Sequence, residues 1–380
     1  MLFFYLALLV LMIWLGMALA HAGFWRIETD PIPPEPEHWP AVTVIMPARE
    51  EAACIAETLR SLWQQEYPGD LDVILVDDHS EDATAEIALR AAQESGQEDS
   101  LSVVYAASLP PGWTGKVWAM SQGAAAAVAL APDFLLFTDA DIHHDPDHVA
   151  ALVAQAQRHG YDLVSTMVEL PVRTLAEQCL IPAFVFFFQL LYPPQWIASA
   201  CERTAAAAGG CMLVRPQALA RAGGLQSIRS QLIDDCALAR AVKGAGGTLW
   251  LGLTHTARST RSYDTFGQIA RMISRSAFNQ LRHSYVLLAA TLAGLGITYL
   301  VAPLLLLSGD PLVSALGASA WILMSIAYAP MVRFYRLNPL WSLCLPAIAV
   351  FYAGATLHSA LQYRLRRGGL WKGRVQDRRL

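Results

Sequence analysis

The sequence has few charged residues for its length. Asp, Glu, Lys and Arg make up 16% of its 380 residues, against about 25% in ordinary soluble proteins. Apolar residues make up 54%, so the composition favours a protein attached to a membrane. The formal net charge of −5 lacks the basic excess that nucleic acid attracts. We therefore expect no nucleic-acid partner.

Cysteine is also scarce, and its spacing excludes common metal and redox motifs. No C-x-x-C pair and no zinc-finger spacing occurs, so the cysteines are typical of small core side chains in a reducing compartment. The sequence also lacks a repeat of fixed period and a P-loop of the form G-x-x-x-x-G-K-S/T, which excludes solenoid folds and P-loop nucleotide binding. The six cysteines are Cys54, Cys179, Cys201, Cys211, Cys236 and Cys344.

Long apolar runs, by contrast, are present at both ends of the chain. Residues 2–20 are almost wholly apolar, and a helix of about 20 residues crosses the hydrocarbon core of a bilayer. We predict an N-terminal transmembrane anchor over residues 1–25 and a Pro-rich linker over residues 26–40. A cleaved signal peptide is the alternative, because residues 18–20 (Ala-Leu-Ala) are similar to a cleavage site, but no Lys or Arg precedes the run.

Three further apolar runs near the C-terminus, 285–307, 312–332 and about 340–361, have the length of membrane spans. We predict membrane helices over residues 284–363 and a basic tail over residues 364–380. Basic residues beside a span normally face the cytoplasm. Three spans after a cytoplasmic domain would instead place the tail outside, so the tail's charge and the helix count conflict unless one run is re-entrant or residues 179–199 contribute to the count.

Between these ends, residues 41–283 alternate short β-branched runs with helical segments. This order predicts an α/β domain with a parallel sheet, whose ligands bind beyond the carboxyl ends of the strands. Residues 179–199 are apolar but contain Pro182, Pro193 and Pro194, and we interpret them as an interfacial or re-entrant segment. The predicted strands are 41–46, 71–76, 101–105, 134–137, 162–166, 209–215 and 248–253.

Two carboxylates one residue apart, Asp139 and Asp141, follow the fourth predicted strand. Carboxylate oxygens are hard ligands that suit a divalent cation, and the cation can hold a diphosphate. The alternative is a solvated strand-to-loop corner, since Asp is common in turns. His143 is a minor candidate for a third ligand, and we expect His144 to be an exposed loop residue.

Polar residues follow other predicted strands as well. Pro47 and Glu51 follow the first strand, where a carboxylate could hold a ribose or begin a helix. Asp78 follows the second strand and could accept the imide N–H of a uracil ring. The alternative for this segment is an Asx-turn plus a helix N-cap, to which Ser80 or Asp82 is suited. Lys116 lies in a Gly-containing loop and could pair with a phosphate, or simply belong to a flexible surface loop.

Asp234 and Asp235 begin a predicted helix much later in the chain. A sugar transfer with inversion needs one carboxylate to take the proton of the acceptor. Asp235 is the best candidate for this general base. Helix capping is the alternative role, and it suits Asp234.

The ordered motifs VIMPAREE, VDDHSEDAT, FTDAD, GGCMLVR and IDD resemble family 2 glycosyltransferases of the GT-A fold over about residues 41–282. The segment LPPGWTGKVWA and the motif at residues 371–374 are most similar to hopene-associated glycosyltransferases of bacterial hopanoid gene clusters, whose relatives act on carotenoids and ceramide. Residues 268–272 resemble the Q-x-x-R-W motif of processive members, but Met272 replaces the Trp, which disfavours a polymer synthase.

The resemblance implies a role for each matching residue. Pro47, Glu51 and Asp78 would belong to the nucleotide-sugar site, with both carboxylates on the nucleoside. Asp139 and Asp141 would hold the diphosphate through Mg²⁺ or Mn²⁺. Asp235 would be the catalytic base. Gln268 and Arg271 would cover the diphosphate or the acceptor entrance, and Lys116 would contact a phosphate.

We therefore expect a membrane-bound, metal-dependent, inverting glycosyltransferase that moves a sugar from a nucleotide-sugar, with a preference for UDP, to a lipid acceptor such as a hopanoid. The resemblance places it in the bacterial cytoplasmic membrane as a multi-pass protein with its catalytic domain in the cytoplasm. Polyprenyl phosphate or a polysaccharide is the alternative acceptor. A non-catalytic nucleotide-binding membrane scaffold is the alternative from another class, and a small transporter is disfavoured because the terminal runs hold almost no charge.

Overall fold

The computed structural model describes residues 1–27, 36–365, 370–371 and 374–375. Residues 28–35 of the predicted linker lie outside the described residues. So does most of the predicted basic tail, including Lys372 of the motif at residues 371–374. The predicted catalytic domain and all four apolar runs lie within the described part.

One mixed sheet of eight strands forms the centre of the catalytic domain. The strands are β1 Val42–Ala48, β2 Leu71–Asp77, β3 Leu101–Tyr105, β4 Phe134–Thr138, β5 Ile142–His144, β6 Leu163–Glu169, β7 Cys211–Val214 and β8 Leu249–Ser259. Their order across the sheet is β3-β2-β1-β4-β7-β6-β8-β5. A separate pair of two-residue strands, β9 Leu370–Trp371 and β10 Arg374–Val375, lies near the C-terminus.

Strand direction differs from the prediction of a parallel sheet. Strands β1 to β4 pair in parallel, but β7 is antiparallel to both β4 and β6, and β5 is antiparallel to β8. A buried strand is apolar on both faces whichever way it runs, so its sequence does not encode direction. The sequence pattern did not indicate β5. It predicted that β8 ends at residue 253, six residues before the end at Ser259 in the structure.

Helices cover both faces of the sheet and continue into a C-terminal bundle. They are α1 Leu2–Ala20, α2 Ile55–Trp63, α3 Thr84–Ser95, α4 Gly115–Ala127, α5 His148–His159, α6 Leu175–Leu191, α7 Pro194–Ala198, α8 Pro216–Arg221, α9 Asp234–Gly244, α10 Phe266–Gln280, α11 Tyr285–Leu295, α12 Val301–Leu304, α13 Pro311–Phe334 and α14 Leu345–Arg364.

The central strand β1 shows why these residues form a sheet covered on both faces. All seven of its residues are buried. Because side chains alternate along a strand, Val44 and Met46 pack into the core on one face of the sheet, and Ile45 packs into the core on the other. The parallel pairing of Ile45 with Phe137 then brings the end of β4 beside the end of β1. The polar residues that follow these strands therefore meet at one edge.

Helix α6 contains most of the predicted interfacial segment, and Pro182 lies inside it without ending it. Pro193 separates it from α7, which begins at Pro194, so the predicted break is confirmed there and wrong at Pro182. The helix packs against the C-terminal bundle. The Tyr352 hydroxyl donates to the Leu180 carbonyl over 2.8 Å, and the helix thus joins the catalytic domain to the bundle.

Four helical segments among the described residues are long and apolar enough to cross a membrane: Leu2–Ala20, Tyr285–Leu307, Pro311–Phe334 and Pro339–Arg364. They coincide with the four apolar runs of the sequence. The first packs against the rest of the protein along the face that holds Trp14, which is fully buried and whose indole N–H donates to the Thr298 carbonyl over 2.8 Å. Trp14 also makes an edge contact with Tyr299.

Candidate active site

A polar cleft of about 200 Å³ opens where β1 and β4 end. Its lining includes four carboxylates and three cationic side chains, so its net charge is −1. The carboxylates belong to Glu51, Asp139, Asp141 and Asp234, and the cations to Lys116, Arg261 and Arg275. Pro47, Thr114, Gln231 and Tyr263 also line it. The cleft therefore joins five of the residues predicted from the sequence with several that were not.

Backbone contacts fix the loop that carries Asp139 and Asp141. The Thr138 hydroxyl donates to the Gly210 carbonyl over 2.9 Å, and the Thr58 hydroxyl donates to the Ala140 carbonyl over 2.8 Å. Burial raises the pKa of the Asp141 carboxyl, and the negative charge of Asp139 raises it further. Two carboxylates thus lie close enough to repel each other, and a cation between them would relieve that repulsion.

Lys116 lies in the first turn of α4 and pairs with two carboxylates of the cleft. Its Nζ lies 2.7 Å from Asp139 Oδ1 and 3.4 Å from Asp234 Oδ2. Burial works to lower the pKa of Lys116, but Asp139 and Asp234 more than offset it, and the pKa lies above its ordinary value. The ammonium is therefore charged. The structure thus places the predicted phosphate contact inside the cleft, in an ordered helix and not in a flexible loop.

Arg261 is the main residue of the cleft that the sequence did not indicate. Its Nη2 donates to the two oxygens of Glu51 over 3.0 and 3.1 Å, and its Nε lies 2.8 Å from Asp141 Oδ2. The segment after β8 is held over the loop because Thr260 N donates to the Asp141 carbonyl over 2.8 Å. Only the extension of β8 beyond residue 253 brings Arg261 there, and no local motif signals that extension.

Asp78 is fully buried beneath the cleft and does not line it. Its backbone N–H donates to the Ala48 carbonyl over 2.8 Å, and its Oδ1 lies 3.3 Å from His79 Nδ1. The turn and capping roles belong to its neighbours. The Ser80 hydroxyl donates to Asp77, and Asp82 accepts from the backbone N–H groups of Ala52 and Thr84.

Asp235 lies in the first turn of α9, next to Asp234, and is not among the residues that line the cleft. Its Oδ2 accepts from Gly209 N over 2.9 Å, and its Oδ1 accepts from Cys236 N over 2.6 Å. Burial raises the pKa of Asp235 to about 6, and the adjacent charge of Asp234 contributes to the rise. Asp234 itself faces Lys116 and lines the cleft. The N-cap of α9 is Ile233 and Asp234 is the first helical residue, so the alternative assignment of Asp234 as the helix cap is wrong.

Gln268 and Arg271 lie on α10, outside the lining of the cleft. The Gln268 side chain accepts from Thr265 N over 3.1 Å, within a capping box that begins the helix. Arg271 is exposed. Arg275, four residues later on the same helix face, lines the cleft instead. The structure thus brings a cation from α10 to the cleft one turn after the position that the motif implies.

The two histidines after the D-x-D motif point elsewhere. His143 Nε2 lies 3.5 Å from Asp145 Oδ1, and His143 Nδ1 lies 3.8 Å from Glu57 Oε1. These contacts do not bring it to Asp139 or Asp141, so the geometry gives no support to a third ligand at His143. His144 was expected to be exposed but is only 1% exposed, because β5 turns it into the core.

Comparisons with known proteins agree with this geometry. A sequence model of glycosyl transferase family 21 matches residues 7–375. The chain is 34% identical over 122 residues to a 4,4'-diaponeurosporenoate glycosyltransferase of Staphylococcus haemolyticus (strain JCSC1435), covering 32% of this chain and 30% of that protein. It is 32% identical over 127 residues to an N-acetylglucosaminyltransferase of Rhizobium leguminosarum bv. viciae, covering 33% of this chain and 26% of that protein. The chain therefore matches less than a third of either relative's length.

One solved structure is similar over nearly the whole chain. The mannosyltransferase PcManGT from Pyrobaculum calidifontis, in complex with GDP-Man and Mn²⁺, superposes with a TM-score of 0.56 and 19% identity, covering 93% of this chain and 99% of that one. At this identity the likeness shows the fold, so the predicted GT-A fold is confirmed. The expected relation to glycosyltransferases is confirmed too, although the motifs suggested family 2 and the matching model is that of family 21.

Proposed function

The chain belongs to glycosyl transferase family 21, and we propose that this glycosyltransferase moves a sugar from a nucleotide-sugar, UDP-linked in our preferred version, to a lipid acceptor with inversion. The observation that supports this most strongly is that Asp139, Asp141, Lys116 and Asp234 line one cleft and that the neighbouring Asp235 acts electrostatically on Lys116. An inverting transfer requires a clamp for the leaving diphosphate and a base for the acceptor.

Asp139 and Asp141 fit a divalent cation by their chemistry. Both offer carboxylate oxygens at the same edge of the cleft, and burial together with the charge of Asp139 raises the pKa of Asp141 although Arg261 acts to lower it. When bound there, Mg²⁺ or Mn²⁺ would neutralise charge that develops on the leaving diphosphate. Mn²⁺ accompanies GDP-Man in the structurally similar mannosyltransferase, which supports this cofactor class without choosing between the two ions.

The cationic side chains of the cleft suit the rest of the diphosphate. Lys116 and Arg261 each already pair with one carboxylate of the D-x-D motif, and Arg275 lines the same cleft. We assign all three to phosphate oxygens, since Arg and Lys are the usual partners of phosphate. Pro47, Glu51 and Asp78 remain our assignment for the nucleoside side of the site.

Asp235 is our assignment for the general base. A base works best when its pKa lies close to the working pH, and burial together with Asp234 raises the pKa of Asp235 to about 6. The carboxylate would take the proton of the acceptor hydroxyl as the acceptor oxygen bonds to the anomeric carbon and the bond to the diphosphate breaks. Backbone N–H groups of Gly209 and Cys236 hold the carboxylate in place.

A lipid acceptor follows from the helices around the domain. Helix α6 joins the catalytic domain to the candidate span Pro339–Arg364, and the four candidate spans give the molecule a large apolar exterior. We propose a multi-pass protein of the bacterial cytoplasmic membrane, with a retained N-terminal anchor, its catalytic domain in the cytoplasm and a hopanoid as the preferred lipid. If all four spans cross, the basic tail lies on the opposite side from the domain.

Transfer of radiolabelled sugar from UDP-sugars into extracted lipid, by the full-length protein in membranes, tests the proposal. We expect one labelled lipid, loss of label with EDTA, and loss of label in Asp235→Asn but not in the control Asp99→Asn, which changes an exposed carboxylate outside the cleft. A ladder of products would favour a polysaccharide acceptor. Nucleotide binding without transfer to any lipid class would favour a scaffold.

A further inference from the structure

A second polar cluster lies in the core next to the D-x-D strand, and the proposed transfer does not use it. His144 on β5, His148 at the start of α5 and Cys211 at the start of β7 are all buried, at 1%, 1% and 0% exposure. Each offers one ligand atom, and the three atoms lie within 4.8 Å of one another. Cys211 is also the register partner of Thr138, the last residue of β4.

The contacts within the cluster have the pattern of a metal site. His148 Nε2 lies 3.3 Å from Cys211 Sγ, and the other ring nitrogen, Nδ1, lies 2.8 Å from the Thr256 hydroxyl. His144 Nε2 lies 3.0 Å from the Thr138 hydroxyl. Metal-bound histidines commonly use one nitrogen on the metal and the other on an outer hydrogen-bond partner, which fixes the ring.

One ring nitrogen of the cluster lacks a partner. His144 Nδ1 is buried and makes no hydrogen bond among the described residues. A buried polar atom without a partner costs about 1–3 kcal/mol, so a protein that retains one usually has a use for it. A metal ion is a partner that a histidine nitrogen, a second histidine nitrogen and a thiolate can share.

The protonation states agree with this reading. Burial lowers the pKa of His144 well below its ordinary value and the pKa of His148 to about 4, so both imidazoles are neutral at physiological pH. Neutral imidazole is the form that binds metals. Burial raises the pKa of the Cys211 thiol to about 12, and the Thr166 hydroxyl lowers it in part. Metal binding would displace the thiol proton to solvent.

We propose that His144, His148 and Cys211 form a structural site for a thiophilic d¹⁰ metal ion, Zn²⁺ or Cu⁺. Imidazole and thiolate together select these ions over Mg²⁺ and Mn²⁺, which prefer oxygen. Metal–ligand bonds of about 2.0–2.3 Å require the three side chains to close by about 1 Å. Complete burial leaves no route for substrate, so the ion would tie β5, α5 and β7 together beneath the D-x-D loop.

Metal content of the full-length protein, purified in detergent and washed with EDTA, tests this site. We expect about one zinc or copper per chain by elemental mass spectrometry, and less than a tenth of that in Cys211→Ala and His148→Gln. Cys236→Ala is the matched control, because Cys236 is equally buried but lies outside the cluster, and it should retain the metal. The element found decides between Zn²⁺ and Cu⁺.

Cobalt gives a second readout that separates this site from the D-x-D motif. Co²⁺ bound to Cys211 would produce a sulfur-to-cobalt absorption band in the near ultraviolet, whereas Co²⁺ bound to Asp139 and Asp141 would not. We expect the band in the wild type and in Cys236→Ala, and its loss in Cys211→Ala. The proposal is overturned if the folded wild type holds no zinc or copper and takes up neither Zn²⁺ nor Cu⁺ under reducing conditions.

Discussion

Two polar clusters lie close to the end of β4, and their buried polar groups are stabilised in different ways. In the cleft, four carboxylates are compensated by three cations, and Lys116 and Arg261 form direct ion pairs. In the core, His144, His148 and Cys211 lose their charge through burial and depend on threonine hydroxyls. The strand therefore separates a charged site from a neutral one.

The difference teaches what each cluster can do. Ion pairs that are partly open to water can exchange partners at modest cost, so the cleft can accept a charged ligand and release it. Neutral groups enclosed in the core exchange with solvent only when the fold opens locally. The arrangement of the cleft suits catalytic turnover, and the arrangement of the core cluster suits a structural role. Substitutions in the cleft should therefore reduce activity, and substitutions in the core cluster should reduce stability.

The largest effect should come from the base. We expect Asp235→Asn to reduce kcat/KM for sugar transfer by about 10²–10⁴-fold, because the amide cannot take a proton and its NH₂ must face the N–H of Gly209 or of Cys236. Steady-state kinetics in membranes measure this. Asp99→Asn should match the wild type, and an Asp235→Asn enzyme with more than a tenth of wild-type activity would contradict the assignment.

Loss of Arg261 should weaken donor binding more than chemistry. Arg261→Gln removes the guanidinium that pairs with Glu51 and Asp141, and we expect KM for the nucleotide-sugar to rise about tenfold with a smaller change in kcat. Arg258→Gln is the control, because Arg258 pairs with Asp145 outside the cleft. A change in kcat alone would mean that Arg261 acts on the transition state and not on donor binding.

Glu177 should matter for stability through its hydrogen bonds. It is fully buried on α6, where its Oε1 accepts from Tyr263 N and its Oε2 accepts from Arg173 N and Thr174 N. In Glu177→Gln the amide NH₂ must face a backbone N–H in either orientation. We expect the free energy of unfolding to fall by about 2 kcal/mol, measured by thermal unfolding. Glu86→Gln, in the first turn of α3 and exposed, should leave it unchanged.

The pH profile should show how Asp234 acts on Asp235. If Asp235 is the base, kcat/KM falls as the carboxyl becomes protonated below its pKa of about 6. Asp234→Asn removes a negative charge that favours protonation, so the pKa of Asp235 decreases and the acid limb moves to lower pH. An acid limb of kcat/KM that stays in place, or moves to higher pH, would contradict the predicted effect of Asp234 on the pKa of Asp235.

The smallest effects should come from the two residues of the predicted Q-x-x-R motif. Gln268 caps α10 and Arg271 is exposed, so we expect Gln268→Ala and Arg271→Ala to change kcat/KM less than about threefold. Arg275→Ala should raise the donor KM more than either. A large loss in Arg271→Ala would restore the role implied by the family motif.

Local pattern was enough to predict much of this molecule. Strand β3 occurs at the residues predicted, and strand ends that share an edge brought Asp139, Asp141 and Glu51 to one cleft. The long apolar runs likewise gave the four candidate spans. These features depend on periodicity and on the general rule for ligands at strand ends, which a single sequence displays directly.

The rest depends on contacts between distant residues. Arg261 meets Glu51 across 210 positions, and nothing near either residue indicates the pair. His144 and Cys211 meet only because β5 and β7 run antiparallel to their neighbours, and hydrophobic pattern does not reveal direction. Pro182 was expected to break a segment, but it lies inside α6, where packing overrides the local preference.

The contact between Trp14 and Thr298 has a consequence for how the protein is made. The two residues are 284 positions apart, so the first helix is synthesised long before its partner exists. Until then the surface of α1 around Trp14 is left without its native cover. Assembly of the bundle can therefore be completed only late in synthesis, after Thr298 has been made.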